Sequence, residues 1–213
     1  MTSLVRASRL LWLACAALAT AVRAAAPDPG VDANPEAQTA YQPKQAVMSR
    51  HFMAATAHPL ATQAAYRVLE RVGRAADAAI AAQMMPGLVE PQSSGLGGGA
   101  FLVHYDARRD RVTVFDGRET APAAANDERF LQGGRPMRFA LAVDSGKSVG
   151  VPGLLRALEL AHRQHGKLPW PSLFDDAIDR ARHGFPVSQR LAALLRDNER
   201  LAAQPAARAY FFH

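Results

Sequence analysis

The chain has 213 residues, of which 49% are hydrophobic and 21% charged, and it carries a formal net charge of +6. This length and apolar content predict a globular fold with a sizeable core and exclude a wholly disordered chain. The arginines are scattered among acidic residues, and three of them lie in residues 1–26, so the charge does not favour a nucleic-acid-binding surface.

Residues 1–26 have the pattern of a secretory signal peptide. Arginines precede an apolar run over residues 10–21, and three alanines follow at 24–26. The run is too short to cross a bilayer, so it predicts an exported chain, periplasmic or secreted, with no membrane segment after cleavage. Cys15 is the only cysteine, and its place in this segment leaves the mature chain without a thiol for a disulfide or a metal site.

The next segment, residues 27–45, contains four prolines and few apolar residues. This composition predicts a mobile N-terminal segment before a folded part that begins near Ala46. Within the folded part, the apolar stretch Phe52–Thr56 predicts a short strand.

Two helices are predicted after that strand. Apolar residues at helical spacing predict a first helix that starts at Pro59, a residue suited to a first turn, and is capped by Gly73. An alanine-rich helix then runs to Pro86, and its small side chains predict close packing against a neighbouring layer.

The remaining elements are a hairpin and three amphipathic helices. The stretches AFLVHY and RVTVFD around the polar DARRD predict a β-hairpin within residues 100–116. Helical periodicity follows in residues 151–166, 172–184 and 188–203. The apolar residues at 211–212 predict a core that continues beyond this chain. The predicted N-caps are Ser172 and Ser188, and the predicted stops are Gly166 and Gly184.

A glycine-rich loop, EPQSSGLGGGAF at residues 90–101, precedes the hairpin. A dinucleotide-binding loop needs a strand before the glycines and a helix after them, and here the order is reversed. The GKS at 146–148 lacks the first glycine of a phosphate-binding loop, because Leu141 stands there. Close backbone packing is favoured for the glycine loop, and a ligand-facing role is the alternative.

Histidines and isolated acids give little indication of a catalytic site. His162 and His165 lie near the end of a predicted helix, and a solvated pair is favoured over a metal site. Isolated acids such as Asp77, Glu90 and Asp116 more often cap helices or pair with arginine than carry out acid–base chemistry. We predict no metal and no cofactor.

The segment DGRETAP, residues 116–122, places Arg118 between two acids directly after the second predicted strand. A guanidinium held in one orientation can bind a carboxylate through two hydrogen bonds. The alternative is a purely structural ion pair with Asp116 or Glu119.

Six blocks of the sequence resemble, in order and spacing, the start of the large subunit of γ-glutamyltranspeptidases. The resemblance covers residues 46–213 and includes the glycine loop and DGRETAP. It implies an α+β fold of the N-terminal-nucleophile hydrolase type, an αββα sandwich of which only the N-terminal portion is present. The blocks are AATAHPLAT, ADAAIAAQ, GLVEPQSSGLGGGAFLVHYD, DGRETAPA, SVGVPG and HGKLPWPSLFDDAIDRARHGFPVS.

The resemblance also implies a function. It implies that a precursor cuts itself to expose a threonine, which takes the γ-glutamyl group from glutathione or a related γ-glutamyl compound and passes it to water, an amino acid or a peptide. Arg118 would hold the α-carboxylate of that substrate, and the partner would be the small subunit of the same precursor. The nucleophilic threonine lies outside this chain, which is therefore expected to be inactive alone. A non-catalytic exported binding module built on the same half-fold is the alternative.

Overall fold

The structure is a computed structural model that describes residues 45–212. The predicted signal peptide and residues 27–44 of the predicted N-terminal segment lie outside this range. None of the helices in 45–212 is both long and apolar enough to cross a membrane. The helices are α1 Pro59–Glu70, α2 Ala75–Met84, α3 Pro86–Val89, α4 Phe139–Val143, α5 Leu154–His165, α6 Asp175–His183, α7 Gln189–Arg196, α8 Glu199–Ala203 and α9 Pro205–Phe211, with 3-10 turns at Gly146–Ser148 and Trp170–Leu173; the strands are β1 Phe101–Asp106, β2 Arg111–Asp116, β3 Leu131–Gln132 and β4 Arg135–Pro136.

Helices α1, α2 and α5 enclose the main core. The face of α1 that carries Ala61, Ala64 and Val68 is buried against α2, whose own alanines permit the close approach predicted from the sequence. Larger side chains fill the remaining space, and Ile80 is fully buried at the centre. Pro86 ends α2 by starting the short helix α3, as expected for a residue that cannot continue the hydrogen-bond ladder.

Gly73 takes part in the cap of α1, as predicted, but it is not the residue in the left-handed conformation typical of such caps. Val72 takes that conformation instead, with φ 59°. The Val72 N–H donates to the Leu69 carbonyl at 3.1 Å, and the Gly73 N–H donates to the Val68 carbonyl at 3.0 Å. These two hydrogen bonds form a Schellman motif, in which Val72 occupies the left-handed position that glycine usually takes and Gly73 is the next residue. Gly73 is still required, because a Cβ there would lie 2.6 Å from the Val68 carbonyl oxygen.

Asp77 joins the start of α2 to the turn after α5. Its side chain is fully buried and accepts hydrogen bonds from the backbone N–H of Arg74 at 2.8 Å and of Lys167 at 3.0 Å. The Leu168 N–H approaches the same carboxylate at 3.4 Å. Asp77 is thus a capping residue, as predicted.

Strands β1 and β2 form the predicted antiparallel hairpin, with Phe101 opposite Asp116. The inner face of the hairpin packs on α5, where Phe115 contacts Ala157 and Ala161. The hairpin meets α5 at two glycines. A Cβ on Gly117 would lie 2.6 Å from the Ala157 Cβ, and a Cβ on Gly153 would lie 2.8 Å from the Gly117 carbonyl carbon.

Three further local predictions are wrong. Residues 52–56 alternate between half-buried and exposed as a strand would, but they pair with no strand within 45–212. Ser172 does not cap α6, because its hydroxyl donates to the Pro169 carbonyl inside a 3-10 turn and α6 starts at Asp175. The helix predicted over 188–203 is two helices, because the Asn198 side chain accepts from the Leu201 N–H and starts α8.

The other helix boundaries agree with the sequence. Ser188 caps α7 through its hydroxyl, which accepts from the Leu191 N–H at 3.1 Å. Gly166 follows α5, and Gly184 ends α6 with φ 86°, a left-handed value that favours glycine. Glu90 forms an ion pair with Arg190 at 2.9 Å, the structural role predicted for an isolated acid.

Candidate substrate-binding site

Arg118 lies two residues beyond the end of β2. The Asp116 carboxylate accepts a hydrogen bond from the Arg118 backbone N–H at 2.9 Å and so fixes the chain as it leaves the strand. The guanidinium donates one hydrogen bond to Glu119 at 2.7 Å. The Arg118 side chain is 69% exposed, so most of its five donors remain free for a ligand. The ion pair considered in the sequence analysis is therefore present, and it leaves the guanidinium accessible.

Arg118 lines a cavity of about 460 Å³, within the usual size range of small-molecule sites. Three stretches of chain surround it: residues 118–122, residues 129–130 and residues 147–150. Gly97 of the glycine loop completes the lining. The charged side chains of the lining are Arg118, Glu119, Arg129 and Lys147, so cations outnumber acids three to one.

Backbone contacts hold two of these stretches side by side. Thr120 and Val151 form an antiparallel bridge, in which the Val151 N–H donates to the Thr120 carbonyl at 2.9 Å. Gly150 lies so close to Glu119 that an added Cβ would approach the Glu119 Cβ to 2.9 Å. The cavity wall that carries Arg118 is thereby fixed to the segment leading into α5.

Arg129 holds the stretch 147–150 from another part of the chain. Its Nε donates to the Lys147 carbonyl at 2.5 Å, and its Nη2 lies 3.4 Å from the Val149 carbonyl. The Ser145 hydroxyl accepts from the Lys147 N–H at 3.3 Å and fixes the same turn. Sequence reasoning missed Arg129 and considered Lys147 only as part of a failed phosphate-loop pattern. No periodicity links residues 118, 129 and 147, because only the tertiary fold brings them together.

The glycine loop supports the site at one position and is open at others. A Cβ on Gly99 would lie 2.5 Å from the Gly117 carbonyl oxygen and 2.6 Å from Glu119 Oε2, so this glycine is required for close packing, as predicted. Gly95 and Gly97 have nothing within 4 Å of an added Cβ. The Gly98 carbonyl accepts from the Leu154 N–H at 3.2 Å and ties the loop to the start of α5.

The predicted solvated pair of histidines is wrong. His165 is only 8% exposed and stacks on His104 of β1, with ring centroids 3.8 Å apart. Burial, and next the neighbouring His104, hold the pKa of His165 below its ordinary value. His162 turns elsewhere: its Nε2 lies 2.8 Å from the Leu168 carbonyl and 3.7 Å from Asp77. Within residues 45–212 no cluster of three potential metal ligands occurs.

Comparison with known proteins decides what kind of protein carries this site. The sequence profile of the gamma-glutamyltranspeptidase family matches residues 61–213. The chain belongs to the γ-glutamyltranspeptidase family. It is 38% identical over 169 residues to the glutathione hydrolase proenzyme of Bacillus subtilis, covering 79% of this chain and 29% of the relative. It is 43% identical over 129 residues to the glutathione hydrolase 5 proenzyme of Rattus norvegicus, covering 60% of this chain and 22% of the relative.

Solved structures of γ-glutamyltranspeptidases confirm the fold class. The Helicobacter pylori enzyme matches with a TM-score of 0.74 at 32% identity, over 79% of this chain and 48% of that chain. The Pseudomonas nitroreducens enzyme, solved in complex with L-DON, matches with a TM-score of 0.71 at 28% identity, over 77% of this chain and 49% of that chain. The predicted α+β fold of the N-terminal-nucleophile hydrolase type is therefore correct. The chain spans less than a third of the length of the curated relatives described above.

Proposed function

We propose that this chain supplies the carboxylate-binding part of a γ-glutamyltransferase and glutathione hydrolase. Membership of the family supports this proposal, and the observation that carries it is the exposed Arg118 guanidinium in a cavity rich in cations. The guanidinium would hold the α-carboxylate of a γ-glutamyl substrate, and Glu119 would orient the guanidinium through their 2.7 Å contact.

The proposed reaction places the nucleophile on a segment outside these 213 residues. A threonine hydroxyl would attack the γ-amide carbonyl while the threonine α-amine takes up the hydroxyl proton. The amide C–N bond breaks, the leaving amine receives the proton, and a γ-glutamyl ester remains on the threonine. Water or an amino acid then attacks the ester and releases the threonine. Backbone N–H groups would stabilise the oxyanion at each step.

The proposal also covers where the enzyme acts and how it is made. The enzyme would be exported to the periplasm or secreted, would need no cofactor, and would be cut from a precursor that also yields a small subunit. The names of the bacterial and rat relatives describe proenzymes, which supports the precursor. The chain alone is proposed to be inactive, because the threonine is supplied from outside it.

The hairpin argues against a self-sufficient binding module. Its outward face carries apolar side chains that are at least 58% exposed, the usual sign of a surface covered by further protein. If the chain alone stays monomeric in solution with this face uncovered, the binding module regains support. The exposed apolar residues are Phe101, Val103, Tyr105, Val112 and Val114.

Steady-state kinetics of the complete precursor test the proposal. Arg118→Lys and Arg118→Ala should raise the KM for γ-glutamyl donors about tenfold or more, because a charge-assisted contact of about 1.5–3 kcal/mol is lost. Arg108→Ala, at the exposed hairpin turn, is the matched control and should leave the KM unchanged. An unchanged donor KM in the Arg118 variants would show that the arginine only pairs with Glu119.

A further inference from the structure

Glu119 is the residue through which the glycine loop reaches Arg118. Its Oε2 accepts the hydrogen bond from Arg118 Nη1 at 2.7 Å, and no other hydrogen bond to this carboxylate occurs within residues 45–212. The Glu119 side chain is 27% exposed, against 69% for the Arg118 side chain. The ion pair thus joins an exposed guanidinium to a carboxylate that the surrounding chain largely covers.

Glycines cover the Glu119 side chain at both of its ends. At the carboxylate end, a Cβ on Gly99 would lie 2.6 Å from Oε2 and 2.9 Å from Cδ. At the stem, a Cβ on Gly150 would lie 2.9 Å from the Glu119 Cβ. A Cβ atom does not tolerate contacts this short, so a side chain at either position would displace the glutamate. The oxygen that Gly99 faces is also the oxygen that binds Arg118.

A carboxylate held in this way can orient the guanidinium before a ligand binds. An ion pair at the surface contributes little when both side chains are free to move, because holding two long side chains in one geometry costs conformational entropy. Packing against glycine backbone fixes one of the two partners in advance. A substrate carboxylate then meets a guanidinium whose direction is already set, so less entropy is lost when the complex forms.

We propose that Gly99 and Gly150 are positioning residues for substrate binding, because they hold Glu119 in the place from which it orients the guanidinium. This assignment rests on the proposed function, in which Arg118 binds the α-carboxylate of the substrate. It gives the close packing of the glycine loop a role in binding and confines that role to one part of the loop, since an added Cβ on Gly95 meets nothing within 4 Å. The two glycines take no part in the chemical step.

The test measures the KM for glutathione and the kcat in glycine-to-alanine variants of the complete precursor. Gly99→Ala and Gly150→Ala should raise the KM about threefold to tenfold, the range expected when one ordered side chain becomes free. The kcat should change by less than about twofold, because the contact holds the ground state and the transition state alike. Gly95→Ala and Gly146→Ala are the matched controls and should leave the KM unchanged, since an added Cβ meets nothing within 4 Å at either position.

A second set of variants separates positioning from a loss of stability. An alanine at position 99 would also meet the Gly117 carbonyl oxygen at 2.5 Å, so Gly99→Ala should lower the melting temperature whatever its effect on binding. Glu119→Ala removes the carboxylate and should itself raise the KM. In that background Gly99→Ala should lower the melting temperature again but raise the KM no further. Gly73→Ala, whose Cβ would lie 2.6 Å from the Val68 carbonyl oxygen, should lower the melting temperature and leave the KM unchanged.

The outcomes distinguish this inference from the proposed function. A KM that rises in Arg118→Ala but stays unchanged in Gly99→Ala and Gly150→Ala would overturn the positioning role and leave the proposed function intact. A further rise of the KM in the double variant with Glu119→Ala, or an equal rise in Gly73→Ala, would also overturn it, because the glycines would then act through general stability. If Gly99→Ala does not fold, Gly150→Ala alone and with Glu119→Ala decides. An unchanged KM in Arg118→Ala contradicts the proposed function, and this inference with it.

Discussion

The helical region and the hairpin region differ in how each is held together. Helices α1, α2 and α5 bury the faces that contact one another, with Ile80 at 0% exposure and Leu154 at 1%. The hairpin is covered on one face only, and Val103 on its outer face is 67% exposed. Stability is therefore concentrated in the helices, whereas the candidate site lies beside the hairpin and is shaped by backbone contacts.

We expect the largest change in the free energy of unfolding from a substitution of Asp77 in the helical region. Asp77→Ala would leave the partly buried backbone N–H groups of Arg74 and Lys167 without their acceptor, and it would also remove the weaker contact to Leu168. We expect the free energy of unfolding to fall by about 3 kcal/mol, since each unsatisfied buried donor costs about 1–3 kcal/mol. Urea denaturation measures the change. Asp127→Ala, at an exposed position, is the control, and similar losses in both variants would contradict the capping role of Asp77.

A valine-to-alanine substitution in each region compares their contributions to the free energy of unfolding. Val68→Ala empties space in the core, where Val68 is 2% exposed, and should lower the free energy of unfolding by about 2 kcal/mol. Val103→Ala, on the outer face of the hairpin, should change it by less than about 0.5 kcal/mol. Thermal unfolding of the isolated chain measures both. A large loss at Val103 would mean that the outer face is covered in solution, for example by self-association.

A gain in stability is expected where the helical region is strained. Val72 is a β-branched residue with φ 59°, and glycine adopts this conformation without a steric penalty. Val72→Gly should raise the free energy of unfolding by about 1 kcal/mol. Val72→Ala, which keeps the Cβ, should gain less. If the glycine variant proves less stable than the alanine variant, the left-handed turn at Val72 is incorrect.

The smallest effect is a pH dependence at the junction of the two regions. Around His165 lie His104 and Asp106 of β1, Arg109 of the turn and Arg111 of β2. Burial is the main cause that lowers the pKa of His165 in the folded chain, so the unfolded chain binds more protons as the pH falls through 6.5. Stability should decrease as the pH falls through that range and be regained above it.

The melting temperature between about pH 5 and pH 8 measures this dependence. His165→Phe should flatten the profile, because phenylalanine fills the stacked position without taking up a proton. His51→Ala, at an exposed histidine, should leave the profile as it is. A profile that stays equally steep in the His165 variant would exclude the stacked pair as its cause.

The sequence predicts the elements whose signals are local. The hairpin, α1, α2, α5 and the stop at Gly184 were found because apolar periodicity and glycine act within a few residues. Arg118 was singled out because it follows a strand between two acids. Its role in binding a substrate stays a prediction.

The incorrect predictions depended on distant parts of the chain. Residues 52–56 have the alternation of a strand, but a strand requires a partner that sequence alone does not identify. His165 was expected at the surface because its helix ends there, and it is buried because the hairpin folds over that end and brings His104 onto it. Lys147 and Arg129 were missed for the same reason: 18 residues separate the Arg129 side chain from the Lys147 carbonyl that it holds.

The crossing of Gly117 and Gly153 limits how this family member can diverge. At most packed positions the sequence can change, because a larger residue at one of two contacting positions can be compensated by a smaller residue at the other. Here both partners already have no side chain, so neither can shrink to accommodate the other. Any lineage that keeps the hairpin seated on α5 in this way must retain both glycines, and the pair will show invariance in related sequences where most contacts show covariation.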